Sequence, residues 1–125
     1  MKTTTEVGRY GESIAEDYLK GKKLKILNKN FHASHNEIDI IAEDKKYIVF
    51  VEVKTRTVVP NSKFEYESPA SAVTFAKQKR VLAAAQAYLN DHPSKKTPRL
   101  DVIEVYLSQD GVPLNINHIE DAFSN

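Results

Sequence analysis

Three acidic side chains and a lysine lie within two apolar runs near the middle of the chain, where charged residues are unusual. The segment from Glu37 to Arg56 reads EIDIIAEDKKYIVFVEVKTR. Its β-branched and aromatic residues, interrupted by a polar tetrapeptide, predict two strands joined by a tight turn. Asp39 belongs to the first strand, and Glu52 and Lys54 belong to the second. Charges inside both strands of a hairpin indicate a site that does chemistry.

The length of the turn decides whether these charges meet, because strand side chains alternate between the two faces of a sheet. A two-residue turn at Asp44-Lys45, or a four-residue turn over residues 43–46, predicts the same register. In that register Asp39 lies opposite Phe50, and Glu37 lies opposite Glu52. A turn of three residues would move Asp39 to the other face. The even turn therefore predicts one polar cluster, which consists of Asp39, Glu52 and Lys54 with Glu37 at its edge.

Carboxylates crowded on one strand pair repel one another, and a bound cation removes this repulsion. Mg²⁺ and Mn²⁺ prefer hard oxygen ligands of this kind, so the cluster predicts a site for either metal. The alternative is a solvated sheet face that happens to be acidic. A further acid, Glu12, lies at the shoulder of the apolar stripe of a predicted helix and can face the sheet, although a surface position is equally compatible with the pattern. His32 and His35 fit a polar loop better than a metal site.

The composition is that of an ordinary globular chain. It has 125 residues, of which 41% are hydrophobic and 28% are charged, and we expect residues 1–125 to form a single domain. The absence of cysteine excludes disulfides and cysteine zinc sites. Neither a signal peptide nor a bilayer-spanning apolar run is recognisable, which predicts a cytoplasmic protein without a membrane partner. A net charge of +1 argues weakly against a strongly basic nucleic-acid binder.

The remaining pattern places helices around the hairpin. A helix is predicted from Thr4 or Thr5 to Lys20, and a strand from Leu24 to Phe31 leads into the hairpin. A loop over residues 58–71 precedes a second helix, from Thr74 to about Asn90. The run Leu100 to Leu107 predicts a strand parallel to the one that carries Glu52, because a helix connects the two. An edge strand follows. The predicted fold is α/β, with a mixed sheet flanked by helices.

The second helix carries basic residues where its dipole would favour acids. Lys77, Lys79 and Arg80 occupy its first turns and indicate an anionic partner, although a solvated helix surface explains them equally well. Gln78 lies one step before the buried stripe and can reach the polar face of the hairpin. A cluster of lysines between residues 20 and 29 is open to the same two interpretations, either phosphate binding or protection of an edge strand.

This combination of motifs resembles the PD-(D/E)xK nuclease superfamily and, more closely, its YraN family, whose members are similar to archaeal Holliday-junction resolvases. The resemblance spans most of the chain. FVEVKTR with the upstream EID carries most of it, and the helices contribute GRYGESIAEDYL and AVTFAKQKRVLAAAQAYL, followed by the strand RLDVIEV. It implies a restriction-endonuclease-like fold. It also implies metal ligation by Asp39 and Glu52, with Glu12 as the helix-borne acid that completes the metal site or supports it from beside the ligands. Lys54 would be the catalytic lysine and Gln78 a supporting polar residue.

The resemblance implies a Mg²⁺- or Mn²⁺-dependent endonuclease that acts on DNA, and branched or junction DNA is the substrate class that it suggests. A homodimer would follow if both strands of a junction are cut. Two alternatives remain at this point. One is a nucleic-acid-binding protein that keeps the nuclease fold without cleaving, and the other is a protein-interaction domain with an acidic face.

Overall fold

The computed structural model describes residues 4–58 and 74–122. Residues 59–73, which include nearly all of the loop predicted from the sequence, lie outside this range. The described part consists of two helices and five strands in the order α1, β1, β2, β3, α2, β4, β5. Their bounds are Thr4–Gly21 (α1), Lys25–Ala33 (β1), Asn36–Glu43 (β2), Tyr47–Thr57 (β3), Phe75–Asp91 (α2), Thr97–Leu107 (β4) and Pro113–Ile119 (β5).

The five strands form one mixed sheet in the order β1-β2-β3-β4-β5. Only β3 and β4 are parallel, and the crossover between them contains α2. Every other neighbouring pair is antiparallel. The predicted α/β class, with a mixed sheet flanked by helices, is therefore confirmed. The predicted parallel pairing of the strand Leu100 to Leu107 with the strand that carries Glu52 is confirmed as well. Within the described residues, neither helix combines the length and apolar character that crossing a bilayer requires.

Two apolar clusters lie on opposite faces of the sheet, one under each helix. Ala15 and Leu19 of α1 pack on the face that presents Val49, Val51 and Val105. The other face carries Phe50, Ile41 and Val102, and the buried stripe of α2 covers it with Val81, Ala84 and Tyr88. Thr74 caps α2 as predicted, with its hydroxyl accepting from the Lys77 backbone N–H at 3.2 Å. Because β3 is covered on both faces, any charge that it carries must be buried or at its end.

Helix α1 approaches β3 most closely at Gly11. A Cβ atom at this position would overlap the side chain of Thr55, whereas one at Gly8, a turn earlier, would meet open space. The missing side chain at Gly11 therefore lets the helix lie directly against the strand. This contact holds the first turns of α1 near the part of β3 that follows Glu52.

The register predicted for the hairpin is wrong by two residues. Phe50 pairs with Ile41 rather than with Asp39, and the last regular pair is Ile40 with Val51. The cause is the side chain of Asp44, whose Oδ1 accepts from the backbone N–H groups of Lys46 and Tyr47 at 2.8 and 2.7 Å. An Asp that bonds to the backbone ahead of it occupies the first position of a turn, so the two-residue turn is Lys45-Lys46. The turn length is still even, so the parity of the prediction holds.

Alternation along β2 breaks at Asp39, which the sequence pattern did not indicate. Ile38 belongs to the cluster under α2, whereas Ile40 belongs to the cluster under α1, although the two are only two residues apart. Opposite this point on β1 lies Asn30, whose φ of 52° is in the left-handed region. Strands β1 and β2 therefore both depart from regular strand geometry at this pair of residues. The regular ladder between β2 and β3 ends there, which opens the sheet beside Asp39.

Candidate metal and nuclease site

Asp39 lies where β2 separates from β3, and its carboxylate replaces the missing ladder contact. Its Oδ2 accepts from the backbone N–H of Val53 at 2.8 Å. Continuing the register past the pair Ile40 and Val51 brings Asp39 opposite Glu52 rather than Phe50. The charge of Asp39 acts directly on Glu52. The sequence argument required the two carboxyl groups to share a face, and the structure brings them together.

Glu52 is buried, with only 3% of its surface exposed. One carboxylate oxygen, Oε2, lies 3.4 Å from the Lys77 Nζ. The other, Oε1, is buried without a hydrogen-bond partner among the described residues. A buried carboxylate oxygen without a partner is unfavourable, since it has lost water and gained nothing in exchange. Such an atom is a structural reason to expect a further ligand at this point.

The electrostatics of the pair follow from burial. Loss of solvent raises the pKa of Glu52 from its ordinary 4.5 to about 8, and the neighbouring Asp39 charge adds to the effect, while Lys77 opposes it. Burial also raises the pKa of Asp39, against the hydrogen bond from Val53. Two adjacent carboxyl groups of this kind hold a proton between them near neutral pH. A divalent cation in place of that proton would let both groups ionise.

Glu12 faces the sheet from α1, as one of the two interpretations predicted. Burial raises its pKa, followed by the negative charges of Asp39 and Glu37, and a hydrogen bond with the Asn30 side chain works in the opposite direction. Glu12 nevertheless stands apart from the Asp39–Glu52 pair. Within residues 4–58 and 74–122, no group of three or more His, Cys, Asp and Glu side chains could hold a metal ion.

Glu37 does not lie opposite Glu52, contrary to the predicted register. Glu37 on β2 lies opposite His32 on β1. The His32 Nδ1 is 3.5 Å from the Glu37 Oε2, and both side chains are largely exposed. Glu37 therefore sits outside the pair and contributes only its charge at a distance. His32 belongs to a strand, and His35 is exposed in the turn that follows it, so neither joins the acidic pair.

The remaining predicted residues divide between the site and the solvent. Lys54 is half-buried two positions beyond Glu52, which puts it on the same side of β3 by strand alternation. Gln78 is half-buried in the first turn of α2. Lys79 and Arg80 are exposed on that helix, and the Lys79 Nζ lies 4.7 Å from the centre of the Phe75 ring. Lys79 and Arg80 remain accessible to a ligand, but they do not contact the carboxylate pair.

The pair Asp39 and Glu52 suits a small divalent cation. Mg²⁺ binds proteins through one or two carboxylates and takes its other ligands from water and substrate phosphates, so a two-carboxylate site is sufficient. The Oε1 atom of Glu52 has a lone pair that no other side chain or backbone group in residues 4–58 and 74–122 uses. The donor set contains oxygen only, which is the set expected for Mg²⁺ or Mn²⁺ rather than for a softer metal.

Sequence reasoning overlooked the contact between Lys77 and Glu52, and it overlooked Asn30. The charge pattern of α2 indicated an anionic partner for Lys77, and the structure adds the contact of this lysine with Glu52. That contact depends on how α2 packs over the sheet, which no pattern within the helix specifies. Asn30, beside Glu12, carried a weak signal, because Asn adopts left-handed backbone more readily than most residues.

A second charged cluster lies away from this pair. Asp101 on β4 is fully buried and accepts two hydrogen bonds from Arg99, at 2.9 and 3.0 Å. It also contacts the His118 Nε2 at 2.7 Å, and the opposite ring nitrogen of His118 lies 3.0 Å from the Tyr18 hydroxyl. Burial alone would raise the pKa of Asp101, but these partners hold it below its usual range. The network ties α1 to β5 through satisfied bonds, which is a structural role.

Comparison with known sequences places these observations in a family. Residues 11–105 match the profile described as "Uncharacterised protein family UPF0102". The chain belongs to this family. A UPF0102 protein of Caldanaerobacter subterraneus subsp. tengcongensis is 47% identical over 119 residues, which cover 94% of this chain and 93% of the relative. One from Clostridioides difficile is 44% identical over 119 residues, covering 94% and 96%. One from Clostridium botulinum (strain Loch Maree / Type A3) is 42% identical over 120 residues, covering 94% of each.

The resemblance to YraN proteins drawn from the motifs is thereby confirmed, since UPF0102 is the family of YraN. The matched region, residues 11–105, begins beside Glu12 and includes Asp39, Glu52 and Lys54. The family is uncharacterised, so membership alone assigns no activity.

Proposed function

We propose that this protein is a metal-dependent endonuclease that hydrolyses phosphodiester bonds in DNA. The observation that carries the proposal is the buried Glu52 beside the half-buried Asp39, together with the Glu52 Oε1 atom, which has no partner among the described residues. Placing two carboxyl groups side by side, one of them buried, is unfavourable for stability alone. A bound cation would offset this cost.

In the proposed reaction, Asp39 and Glu52 would hold Mg²⁺ or Mn²⁺. A metal bound there would supply a Lewis acid for the scissile phosphate and would lower the pKa of a water molecule. The hydrogen bond from Val53 fixes the orientation of the Asp39 carboxylate, because the donor belongs to a central strand. Lys54 follows Glu52 on the same strand, where its ammonium group would orient the attacking water and offset the charge that develops on the phosphate.

Lys77 and Glu12 have supporting parts in this scheme. With no metal bound, the Lys77 ammonium lies 3.4 Å from the Glu52 carboxylate and offsets part of its negative charge. A bound cation would neutralise that charge instead, and the Lys77 ammonium would then be available to a phosphate oxygen of the substrate. Glu12 extends the negative potential of the pair towards α1, which favours cations at the mouth of the site. Lys79 and Arg80, exposed on the same helix as Lys77, would contact neighbouring phosphates.

Branched DNA is the substrate class that we propose, following the resemblance of YraN proteins to junction resolvases. Cutting two strands of one junction would require two copies of the chain related by symmetry. The oligomeric state in the presence of four-way DNA is therefore part of the proposal.

A cleavage assay tests the proposed activity. Single-stranded, duplex, flap and four-way DNA are incubated with the purified protein and Mg²⁺, Mn²⁺ or EDTA, and the Glu52→Gln and Lys54→Met variants are prepared in parallel. We expect metal-dependent cleavage, strongest on a branched substrate, that is lost in both variants. Cleavage that survives in Glu52→Gln would come from a contaminant and would overturn the assignment. Tight DNA binding without cleavage in either metal would instead establish a non-catalytic nucleic-acid-binding protein.

A further inference from the structure

An open cleft of about 530 Å³ lies at the end of the sheet that carries the β2–β3 turn. Three separate segments line it: the connection after α1, the turn itself and the residue before β4. These segments are far apart in sequence, so only the fold brings them together. They contribute six lysines, which are Lys22, Lys23, Lys25, Lys45, Lys46 and Lys96.

The two acidic residues of this lysine cleft are already engaged. Asp44 accepts two backbone N–H groups inside the turn, and Glu43 pairs with Lys96 at 3.1 Å. None of the other five lysines forms an ion pair within residues 4–58 and 74–122. The formal net charge of the whole chain is only +1, so the positive charge is concentrated here by the fold. Several unneutralised ammonium groups around one cleft favour an anion of more than one charge.

The backbone at the cleft is held in an unfavourable conformation. Lys23 has a φ of 68°, in the left-handed region, where a residue with a Cβ atom is strained. Hydrogen bonds from the backbone N–H groups of Lys23 and Leu24 to the last turn of α1 keep it there. Glycine is the usual residue at such a position, and Gly21 lies only two residues earlier. The chain thus carries a lysine at the rim of the cleft despite a conformational cost.

The cleft lies along the same strand as Glu52, at a distance that can be compared with the dimensions of DNA. Lys46 directly precedes β3, and Glu52 is the sixth residue of that strand. At about 3.3 Å per residue, the cleft lies roughly 17–20 Å from Glu52 along the strand. One turn of duplex DNA is ~34 Å long, so this distance corresponds to about five or six base pairs.

We propose that the lysine cleft binds the phosphate backbone of the same nucleic acid that would be cleaved at the Asp39–Glu52 site, about half a helical turn away. This inference rests on the proposed function. Lysine acts as a compact charge on phosphates, and the cleft contains no aromatic side chain on which a base could stack. The contact is therefore independent of sequence, and it sets where along the DNA the cut falls.

A pair of double variants tests the contact without any need for cleavage. Lys45→Gln/Lys46→Gln removes two charges from the cleft. The matched control, Lys20→Gln/Lys29→Gln, removes two charges from lysines that pair with Glu16 at 2.9 Å. Binding of a fluorescent four-way DNA is measured by anisotropy in EDTA over a range of salt concentrations. We expect the cleft variant to lose at least about tenfold in affinity and to flatten the slope of log affinity against log salt by about two.

The control variant should lose less than about threefold in affinity for the four-way DNA. Equal losses in the two variants would mean that only net charge matters, and this result would overturn the proposal. An unchanged salt slope in the cleft variant would overturn it as well. Because EDTA prevents metal-dependent cleavage, the assay gives its answer even if the protein proves not to be a nuclease.

A crosslinking measurement tests the distance. The chain has no cysteine, so Lys45→Cys carries a photocrosslinker at a unique position. We expect crosslinks on the DNA about five or six base pairs from the cleaved bond, and none above background from Lys20→Cys. Crosslinks at the cut itself, or equal yields from both positions, would contradict the proposed path of the DNA. Crosslinks to intact DNA without any cleavage would refute the nuclease activity and leave the cleft as a nucleic-acid contact.

Discussion

Replacing Glu52 by glutamine should stabilise the metal-free protein. Glutamine keeps the shape of the side chain and removes an ionisable group whose residue is only 3% exposed. The pKa of Glu52 is raised from 4.5 to about 8 in the folded protein. Each pKa unit corresponds to about 1.4 kcal/mol, so at pH 7 the glutamate costs the folded state up to about 3 kcal/mol. The buried amide of glutamine and the lost contact with Lys77 offset part of the gain.

We therefore expect a net gain on the order of 1 kcal/mol at pH 7, or about 3–4 °C in melting temperature for a chain of this size. The effect should depend on pH with a defined sign. Below pH 4.5 the carboxyl group is protonated in both states, so the two proteins should melt alike. Between pH 4.5 and about 8 the unfolded state releases a proton that the folded state retains, so the parent loses stability as pH rises. The advantage of Glu52→Gln should grow across this window.

Thermal melts of both proteins from pH 4.5 to pH 8.5, with and without Mn²⁺, give the measurement. At a hundredfold excess over its dissociation constant, a metal that binds only the native state adds about 2.7 kcal/mol. Mn²⁺ should stabilise the parent in this way and leave Glu52→Gln unchanged. Glu43→Gln is the control, since Glu43 belongs to the same hairpin, is more exposed than Glu52 and forms its ion pair with Lys96, outside the hairpin. This control should change stability by less than about 1 kcal/mol and keep the response to Mn²⁺.

The reasoning fails if Glu52→Gln melts below the parent at every pH and Mn²⁺ moves neither melting temperature. That result would describe an ordinary glutamate in a stabilising ion pair with Lys77. If Glu52→Gln is more stable than the parent but Mn²⁺ does not raise the melting temperature of the parent, the electrostatic strain at Glu52 is supported and the metal site is refuted.

Three further outcomes are expected. Lys54→Met should reduce the single-turnover cleavage rate at least a hundredfold while Mn²⁺ still raises the melting temperature; loss of both would mean that Lys54 is structural. Gly11→Ala should destabilise the protein by about 2–4 kcal/mol in urea melts, because the new Cβ overlaps β3, whereas Gly8→Ala should be neutral or stabilise by up to ~1 kcal/mol. Lys79→Gln/Arg80→Gln should flatten the salt slope of DNA binding by up to about two, and an unchanged slope would make both residues plain surface.

The fold and the residues of the site were largely accessible from the sequence because their signals are local. Runs of β-branched and aromatic residues marked β3 and β4, and helical periodicity marked α1 and α2. The length of the crossover made β3 and β4 parallel. The prediction that Asp39 and Glu52 share a face rests on an even turn, and the turn is even although the register moved by two residues.

Tertiary structure decided the features that depend on several elements at once. A single side chain, Asp44, set the register, because its bonds to the backbone compete with other turns of similar energy. The reversal at Asn30 and Asp39 depends on two strands changing together, and period-two counting along one strand does not detect it. The contact of Lys77 with Glu52 depends on how α2 packs over the sheet.

The sequence by itself thus determined which residue types the site carries: carboxylate oxygens, a lysine two positions beyond Glu52 and the strand pair that holds them. Only the tertiary structure decided that burial disfavours the ionised form of these carboxyl groups, and where on the surface a partner can bind. Burial raises the pKa of Glu52, and burial is a property of everything packed around a residue. The lysine cleft likewise exists only because the ends of α1, β2 and the α2–β4 connection meet. Local patterns specify residue types and faces, whereas desolvation and convergence arise from contacts between distant segments.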